Sequence, residues 1–304
     1  MLVTGSNRSG TTWVGRMLTL AGELAYVHEP FNPGVWPRWT PRPLPYRNLY
    51  VCAENEAELL EPMRSVLERR FPWRAQVPEC RNPKAAARLA KRSLVAAASR
   101  IGRRATLLKD PIAVFSSEWL ADRFDLQVVV MLRGPLAFAS SIKRLGWAFD
   151  FTNWTEQHLL MRDALSEFDE PVRRAAVEPP DLIDQAILTW NATYAHLDRL
   201  RGLHPDWLFV DYEALASDPE AGFARLYALL DLALDDRRRA AITRHTRRGN
   251  VTDVPAGQKG GIRRDSRAAV DTWRYRLTPA EVERVQVGTQ VVADRLAAAP
   301  SDAP

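Results

Sequence analysis

The chain begins with the stretch Val3-Thr4-Gly5-Ser6-Asn7-Arg8-Ser9-Gly10-Thr11-Thr12-Trp13. A short apolar strand runs into a loop framed by Gly5 and Gly10, and a helix is predicted to begin near Thr11. Backbone N–H groups at such a helix N-terminus point at one place and form an anion site. The glycine spacing matches a nucleotide P-loop, but Thr11 stands where NTPases carry lysine, and Arg8 lies inside the loop. The stretch therefore predicts a site for a phosphate-like group.

Composition is compatible with an enzyme that binds an anion. The chain has 304 residues, of which 46% are hydrophobic, and a net charge of +5. Its two cysteines make neither a disulfide framework nor a zinc site. Because the first strand begins by Leu2 and no apolar run reaches membrane-spanning length, we expect a cytoplasmic, bacterial protein without an anchor. We expect one domain over residues 1–299, with an insertion at about 34–104 and a disordered tail at 300–304.

Hydrophobic periodicity predicts alternating strands and helices. Strands are predicted at residues 2–6, 24–27, 106–109, 127–132 and 207–210. Helices are predicted at residues 11–22, 54–70, 83–102, 137–145, 156–168, 181–200, 219–230 and 279–297. The alternation indicates a three-layer, P-loop-like α/β fold with a central, mostly parallel sheet. The polar residues Arg8, Glu29, Lys109, Arg133 and Tyr212 all follow predicted strands, where ligands of such sheets gather.

The run from Arg8 to Trp13 resembles the loop with which sulfotransferases bind the 5′-phosphosulfate of 3′-phosphoadenosine 5′-phosphosulfate (PAPS). The resemblance implies PAPS as cofactor and no metal. It assigns cofactor contacts to the whole run, with Trp13 packing on the adenine: Arg8, Ser9, Gly10, Thr11, Thr12 and Trp13.

Further short motifs extend the resemblance toward the C-terminus. Arg133 follows a strand and Ser141 lies eight residues later, which resembles the 3′-phosphate motif of sulfotransferases. An arginine fork suits a phosphate because it donates two parallel charge-assisted hydrogen bonds. Tyr212 resembles a tyrosine near the adenine, and Arg264 and Ser266 lie in a Gly-rich basic stretch that resembles a loop closing over the 3′-phosphate.

The catalytic assignments also follow from the resemblance. Lys109 lies where cytosolic sulfotransferases carry Lys-x-His, but Pro111 replaces the histidine, so the base must come from elsewhere. Glu29 follows Arg8 by 21 residues, as in tyrosylprotein and carbohydrate sulfotransferases, and we expect desolvation to raise its pKa into a working range. The neighbouring His28 is the rival base, and an extended backbone would point the two side chains to opposite faces.

The predicted reaction transfers a sulfonate to a hydroxyl of a carbohydrate or other small metabolite, with charge stabilised by Arg8 and Lys109. Two alternatives remain open at this point: a nucleotide-dependent kinase, and a non-enzymatic binder of anionic glycans or nucleic acid. We expect no nucleic-acid partner, because arginine is scattered along the chain. The Pro-rich segment with Trp36, Arg38, Trp39 and Arg42 is predicted to be a loop or lid that faces the acceptor.

Overall fold

The computed structural model describes residues 1–101, 105–247, 249–250 and 265–298. Its sheet has five strands in the order β2-β3-β1-β4-β5, and every pair of neighbours is parallel. The strands are β1 (Leu2–Gly5), β2 (Leu24–His28), β3 (Ala105–Lys109), β4 (Val128–Leu132) and β5 (Leu208–Asp211). The predicted parallel α/β sheet is therefore confirmed, with strand ends within one residue of the predicted ones.

The strand order creates the crevice that a ligand can occupy. The chain leaves β1 toward β2 at one edge of the sheet, and it later returns to place β4 on the other side of β1. In sheets of this kind the loops after two such strands diverge and open a cleft above their carboxyl ends. The loop after β1 carries Arg8, and the loop after β4 carries Arg133.

Helices cover both faces of the sheet. They are α1 (Thr11–Leu18), α2 (Leu60–Leu67), α3 (Trp73–Gln76), α4 (Pro83–Arg100), α5 (Ser117–Phe124), α6 (Pro135–Leu145), α7 (Thr152–Thr155), α8 (His158–Asp163), α9 (Asp169–Val177), α10 (Leu182–Leu203), α11 (Tyr212–Ser217), α12 (Pro219–Leu229), α13 (Asp236–Thr246), α14 (Ser266–Val270) and α15 (Pro279–Ala298). Short 3-10 helices lie at Thr19–Ala21, Val77–Glu79, Val114–Ser116, Ser166–Phe168 and Asp271–Tyr275. Among the described residues, no helix is long and apolar enough to cross a bilayer.

Some predicted helix boundaries are wrong. The helix predicted over 54–70 begins only at Leu60, because the Asn55 side chain bonds the backbone of Cys52 at 2.8 Å and that of Tyr50 at 2.9 Å and so holds a turn. The helix predicted over 156–168 ends at Asp163 and resumes only as a 3-10 turn. The sequence reading missed α5, α9 and α13, which are short and rich in charged residues.

The core lies on both faces of the sheet. Leu2, Leu108 and Val130 point into the larger cluster, under α10. Val3 and Val129 point into the other cluster, under α1 and α12. Because both faces are buried, these strands are mostly apolar, and β4 is an unbroken apolar run, which made it the most predictable element.

Candidate active site

The loop after β1 takes a conformation that glycine makes possible. Gly5 has φ 136° and Gly10 has φ 94°, both in the region that favours glycine, and Arg8 between them has φ 70°. A Cβ on Gly10 would lie 2.5 Å from a ring carbon of Tyr212, so only glycine lets the loop pack on that ring. The loop geometry is thereby tied to the residue that follows β5.

The loop ends at the N-terminus of α1, which begins at Thr11. The first N–H groups of a helix have no partner inside the helix and point toward what precedes it. Thr11 is buried and Thr12 is exposed. The Ser9 hydroxyl donates to the Ser6 carbonyl at 2.7 Å and closes the loop on itself. The geometry predicted for an anion site is therefore present.

Arg133 follows β4 and reaches the same loop. Its Nη1 donates to the carbonyl oxygen of Arg8 at 3.0 Å, and its guanidinium lies over the ring of Tyr212 at 4.1 Å. Its Nε is 3.3 Å from Oε1 of Glu213, yet this buried Nε makes no hydrogen bond among the described residues. Burial raises the pKa of Glu213, and the charge of Arg133 opposes that effect. Arg133 is thus a desolvated cation that lies between the Arg8 carbonyl of the loop and the Glu213 carboxylate.

Ser141 on α6 completes this cluster. Its hydroxyl oxygen accepts a hydrogen bond from Nε of Arg8 at 2.9 Å. The structure therefore brings Arg8, Arg133 and Ser141 together, although they are separated by up to 133 residues in the chain. Trp13 is 9% exposed and packs edge-on against Tyr212, with ring centroids 5.7 Å apart.

Two residues of α10 position the loops after β1 and β4, and the sequence did not point to either. The Tyr194 hydroxyl accepts from the backbone N–H of Arg133 at 2.7 Å and lies 3.0 Å from the Ser6 hydroxyl. Trp190 donates from Nε1 to the Arg133 carbonyl at 2.9 Å and stacks on Tyr194. In the sequence, two aromatic residues four apart on an apolar helix face indicate core packing and nothing about these hydrogen bonds.

The second polar cluster lies where β2 and β3 end. Lys109 has a fully buried side chain, and its Nζ forms an ion pair with Oε1 of Glu29. Asn32 donates to the other carboxylate oxygen at 2.7 Å. The Lys109 stem packs against α1, where a Cβ on Gly15 would lie 3.1 Å from Cγ of Lys109. The two predicted catalytic residues therefore meet beside the first helix.

The expectation that His28 and Glu29 point to opposite faces is wrong. β2 ends at His28, and Glu29 takes a left-handed φ of 43°, so the extended alternation stops there. His28 Nε2 lies 4.0 Å from Oε1 of Glu29. Both side chains thus face the same end of the sheet.

The expectation of a raised pKa for Glu29 is also wrong. Burial pushes the pKa of Glu29 upward, but Lys109, His28 and Asn32 outweigh it and hold the pKa below 4.5. Burial lowers the pKa of His28 to about 4, and the Lys109 charge acts in the same direction. At neutral pH this places an ionised Glu29 beside a neutral His28.

Asp110 fixes the turn that presents Glu29. This fully buried carboxylate accepts from the backbone N–H of Phe31 at 2.7 Å and from that of Ile112 at 2.9 Å. Burial, with a further contribution from Glu29, raises the pKa of Asp110 to about 7. The sequence showed Asp110 only as the neighbour of Lys109.

Two further predicted cofactor contacts are Ser266 and Arg264. Ser266 is buried and its hydroxyl donates to the carbonyls of Ala216 at 3.2 Å and Thr246 at 3.4 Å. Arg264 lies outside the described residues.

The segment predicted as an acceptor-facing lid is largely packed into the protein. Trp39 is 5% exposed, and Arg38 binds both carboxylate oxygens of Glu79. Only Arg42 of the four named side chains is exposed, while Trp36 is half-buried. The lid prediction therefore fails for Arg38 and Trp39, because an internal ion pair and core packing engage them.

A cavity of about 360 Å³ adjoins the loop on the other face of the sheet. Its lining includes Ser6 and Asn7 of the loop, aromatic residues such as Trp147 and Phe149, and charged or polar residues such as Arg47. Neither Glu29 nor Lys109 is among its lining residues.

Comparison with known proteins agrees with this site. A profile described as the sulfotransferase family matches residues 1–236, so the chain belongs to the sulfotransferase family. Carbohydrate sulfotransferase 1 of Danio rerio is 28% identical over 180 residues, which cover 57% of this chain and 38% of the fish protein. The sulfotransferase domain from the curacin biosynthetic pathway is 12% identical, with a TM-score of 0.50 over 97% of this chain and 96% of that domain. The structural likeness shows the shared fold alone.

Proposed function

We propose that this protein transfers the sulfonate of PAPS to a hydroxyl group of an acceptor. The observation that carries the proposal is the convergence of Arg8, Arg133 and Ser141 on one loop, in a chain of the sulfotransferase family. ATP carries no 3′-phosphate, so the Arg133–Ser141 arrangement does not favour the kinase alternative. The glycan- or nucleic-acid-binding alternative would leave the buried Lys109–Glu29 pair without a role.

The residues present fit PAPS. Arg133 is a buried cation beside the loop, which suits the 3′-phosphate, and Arg8 contacts both Arg133 and Ser141. The left-handed loop and the start of α1 suit the 5′-phosphosulfate. Tyr212 lies under the Arg133 guanidinium and Trp13 packs against Tyr212, so both rings would border the adenine. Arg264 and Ser266 remain predictions for the 3′-phosphate loop.

When bound, PAPS would supply an electrophilic sulfur for the acceptor hydroxyl and a phosphate leaving group. Arg8 and the N–H groups of α1 hold negative charge at the loop. Lys109 lies at the end of the neighbouring strand β3, where its ammonium stabilises charge on the transferring group. Because Lys109 is already desolvated, its charge acts at short range with little screening by water.

Glu29 is the proposed base. Its carboxylate is ionised and 16% exposed, so it can accept the proton of an acceptor hydroxyl. In the free protein Lys109 holds its pKa low. When Lys109 turns its charge to a bound sulfonate, the pKa of Glu29 rises because burial then dominates. His28 remains the rival, although its lowered pKa makes it a weaker base at neutral pH than an ordinary histidine.

A transfer assay tests the proposal. The protein is incubated with PAPS and a panel of sugar and phenol acceptors, and adenosine 3′,5′-bisphosphate and sulfated product are quantified by mass spectrometry. Carbohydrates belong in the panel because the Danio rerio relative is named for them. We expect equal amounts of both products.

The matched variants are Lys109→Met and Lys91→Met. Lys109 is buried in the site, whereas Lys91 is exposed on α4 and loses the same charge. Lys109→Met should lower kcat by about 100-fold or more, as removal of a transition-state charge contact does. Full activity of Lys109→Met, or an equal loss in both variants, would contradict the assigned role.

A further inference from the structure

Two arginines lie close enough to His28, the residue before Glu29, to act on its charge, and they take no part in the chemistry described so far. Arg92 on α4 places its guanidinium over the ring of Trp39 at 5.1 Å. Arg16 on α1 places its guanidinium over the ring of Tyr26 at 4.0 Å. Tyr26 in turn stacks on His28, with ring centroids 6.0 Å apart. Two guanidinium groups are thus held on aromatic faces at the His28 end of β2.

Arg92 lacks the hydrogen bonds that its burial calls for. Within the described part of the chain, its buried Nε and Nη2 meet no hydrogen-bond acceptor. A buried donor without a partner destabilises the folded protein. Burial lowers the pKa of Arg92, and the nearby charge of Arg16 lowers it further. The arginine is therefore placed against a like charge instead of an opposite one.

The carboxylate at this end of the strand does not relieve that arrangement. Glu29 is already bound by Lys109 and Asn32. The electrostatic neighbours of His28 include Lys109, Arg92 and Arg16, with Glu29 as the opposing charge. An anion placed between the two arginines would satisfy the unused donors and offset the repulsion between them.

From this geometry we infer that Arg92 and Arg16 form a binding subsite for an anionic group of the acceptor, a carboxylate, sulfate or phosphate next to the hydroxyl that receives the sulfonate. The inference rests on the proposed function, since Glu29 marks where that hydroxyl lies. His28, which lies 4.0 Å from Oε1 of Glu29, borders both positions. The subsite selects an acidic acceptor over a neutral one of the same shape.

Arg88 provides a matched control. It lies four residues before Arg92 on α4 and stacks on Trp36 at 5.5 Å, as Arg92 stacks on Trp39. Unlike Arg92 it is exposed, and its Nη2 donates to the Trp36 carbonyl at 2.8 Å. Arg88→Met and Arg92→Met therefore remove the same charge from the same helix, and methionine keeps an apolar stem on the ring in each.

The first measurement does not depend on turnover. Sodium sulfate is titrated by calorimetry into protein saturated with adenosine 3′,5′-bisphosphate, at ionic strength held constant with sodium chloride. Arg92→Met should weaken sulfate binding by about 10- to 100-fold, the value of a lost hydrogen bond to a charged group, whereas Arg88→Met should not. Sulfate held by the loop instead would bind equally to both variants. That result, or no sulfate binding to the wild type, overturns the subsite.

The second measurement distinguishes an acceptor group from a free anion. The ratio of kcat/KM for para-hydroxymethylbenzoate over para-hydroxymethylbenzamide should exceed about tenfold in the wild type and collapse in Arg92→Met but not in Arg88→Met. Sulfate binding at Arg92 without this preference overturns the acceptor assignment. Absence of any sulfonate transfer contradicts the proposed function, while the sulfate titration still decides whether the anion subsite exists.

Discussion

Replacing Arg133 with methionine should weaken adenosine 3′,5′-bisphosphate far more than adenosine 5′-phosphosulfate. The Arg133 side chain is 10% exposed and its Nε has no hydrogen bond, so a phosphate there would meet a desolvated cation. Loss of one partner of such a pair costs about 2–4 kcal/mol, which is roughly 30- to 900-fold in affinity. The second ligand lacks the 3′-phosphate, so we expect its affinity to change by less than about threefold.

Glu213 contributes to the size of this affinity loss, and a variant of Glu213 provides the control. Removing Arg133 leaves the Glu213 carboxyl buried without the cation that lies 3.3 Å away, and its pKa, already raised by burial, should rise further. Part of the affinity loss would then be repulsion from Glu213. The double variant Arg133→Met/Glu213→Gln should recover that part and no more.

Calorimetric titration of both ligands into the wild type and the two variants measures these affinities. Arg133 also donates to the Arg8 carbonyl at 3.0 Å, so a general collapse of the loop is the competing explanation. Collapse would weaken the two ligands equally. Equal losses for both ligands would therefore refute the assignment of Arg133 to the 3′-phosphate.

Four further variants test the rest of the site. Glu29→Gln should lower the rate of sulfonation of an alcohol by about 10²–10⁴-fold and leave the affinity for adenosine 3′,5′-bisphosphate unchanged. If His28→Asn is inactive and Glu29→Gln is active, His28 is the base. Tyr194→Phe should lower the free energy of unfolding by about 1–3 kcal/mol in urea denaturation, because the Arg133 N–H loses its buried acceptor; an unchanged midpoint would contradict this. The pKa of Asp110 is about 7 in the folded protein and 3.8 for an ordinary aspartate, as in the unfolded chain. Its contribution to stability is therefore present below pH 3.8 and is lost as the pH rises toward 7. The free energy of unfolding should therefore fall by about 1 kcal/mol per pH unit over this range, and Asp110→Asn should flatten that slope when unfolding is measured from pH 4 to 8. An unchanged slope would mean that other groups cause the pH dependence.

Local signals were sufficient for the sheet and for the loop after β1. The run Val128–Leu132 is apolar throughout because β4 is buried on both faces, and such a run has few other interpretations. Gly5 and Gly10 marked the loop because their backbone angles and the ring of Tyr212 exclude a side chain. The burial of β4 is visible in the strand's own residues. The loop conformation is visible because it requires glycine at two positions.

Long-range contacts were not predictable in the same way. Tyr194 reaches Ser6 across 188 residues, and no spacing along α10 announces that contact. The pKa of Glu29 was predicted in the wrong direction because its partner Lys109 is 80 residues away and forms a buried ion pair. Arg92 sits in a helix of ordinary composition, and only the fold places it near Arg16.

The central claim is that the site recognises a 3′-phosphorylated adenosine nucleotide, and a pair of calorimetric titrations on the unmodified protein tests it most directly. Adenosine 3′,5′-bisphosphate and ATP are titrated separately at the same pH and salt concentration, with magnesium present for ATP. We expect the bisphosphate to bind at least about tenfold more tightly, because its 3′-phosphate, which ATP lacks, would meet Arg133 and Ser141. If ATP binds as tightly as the bisphosphate, or more tightly, the site does not recognise the 3′-phosphate, and the kinase alternative is favoured.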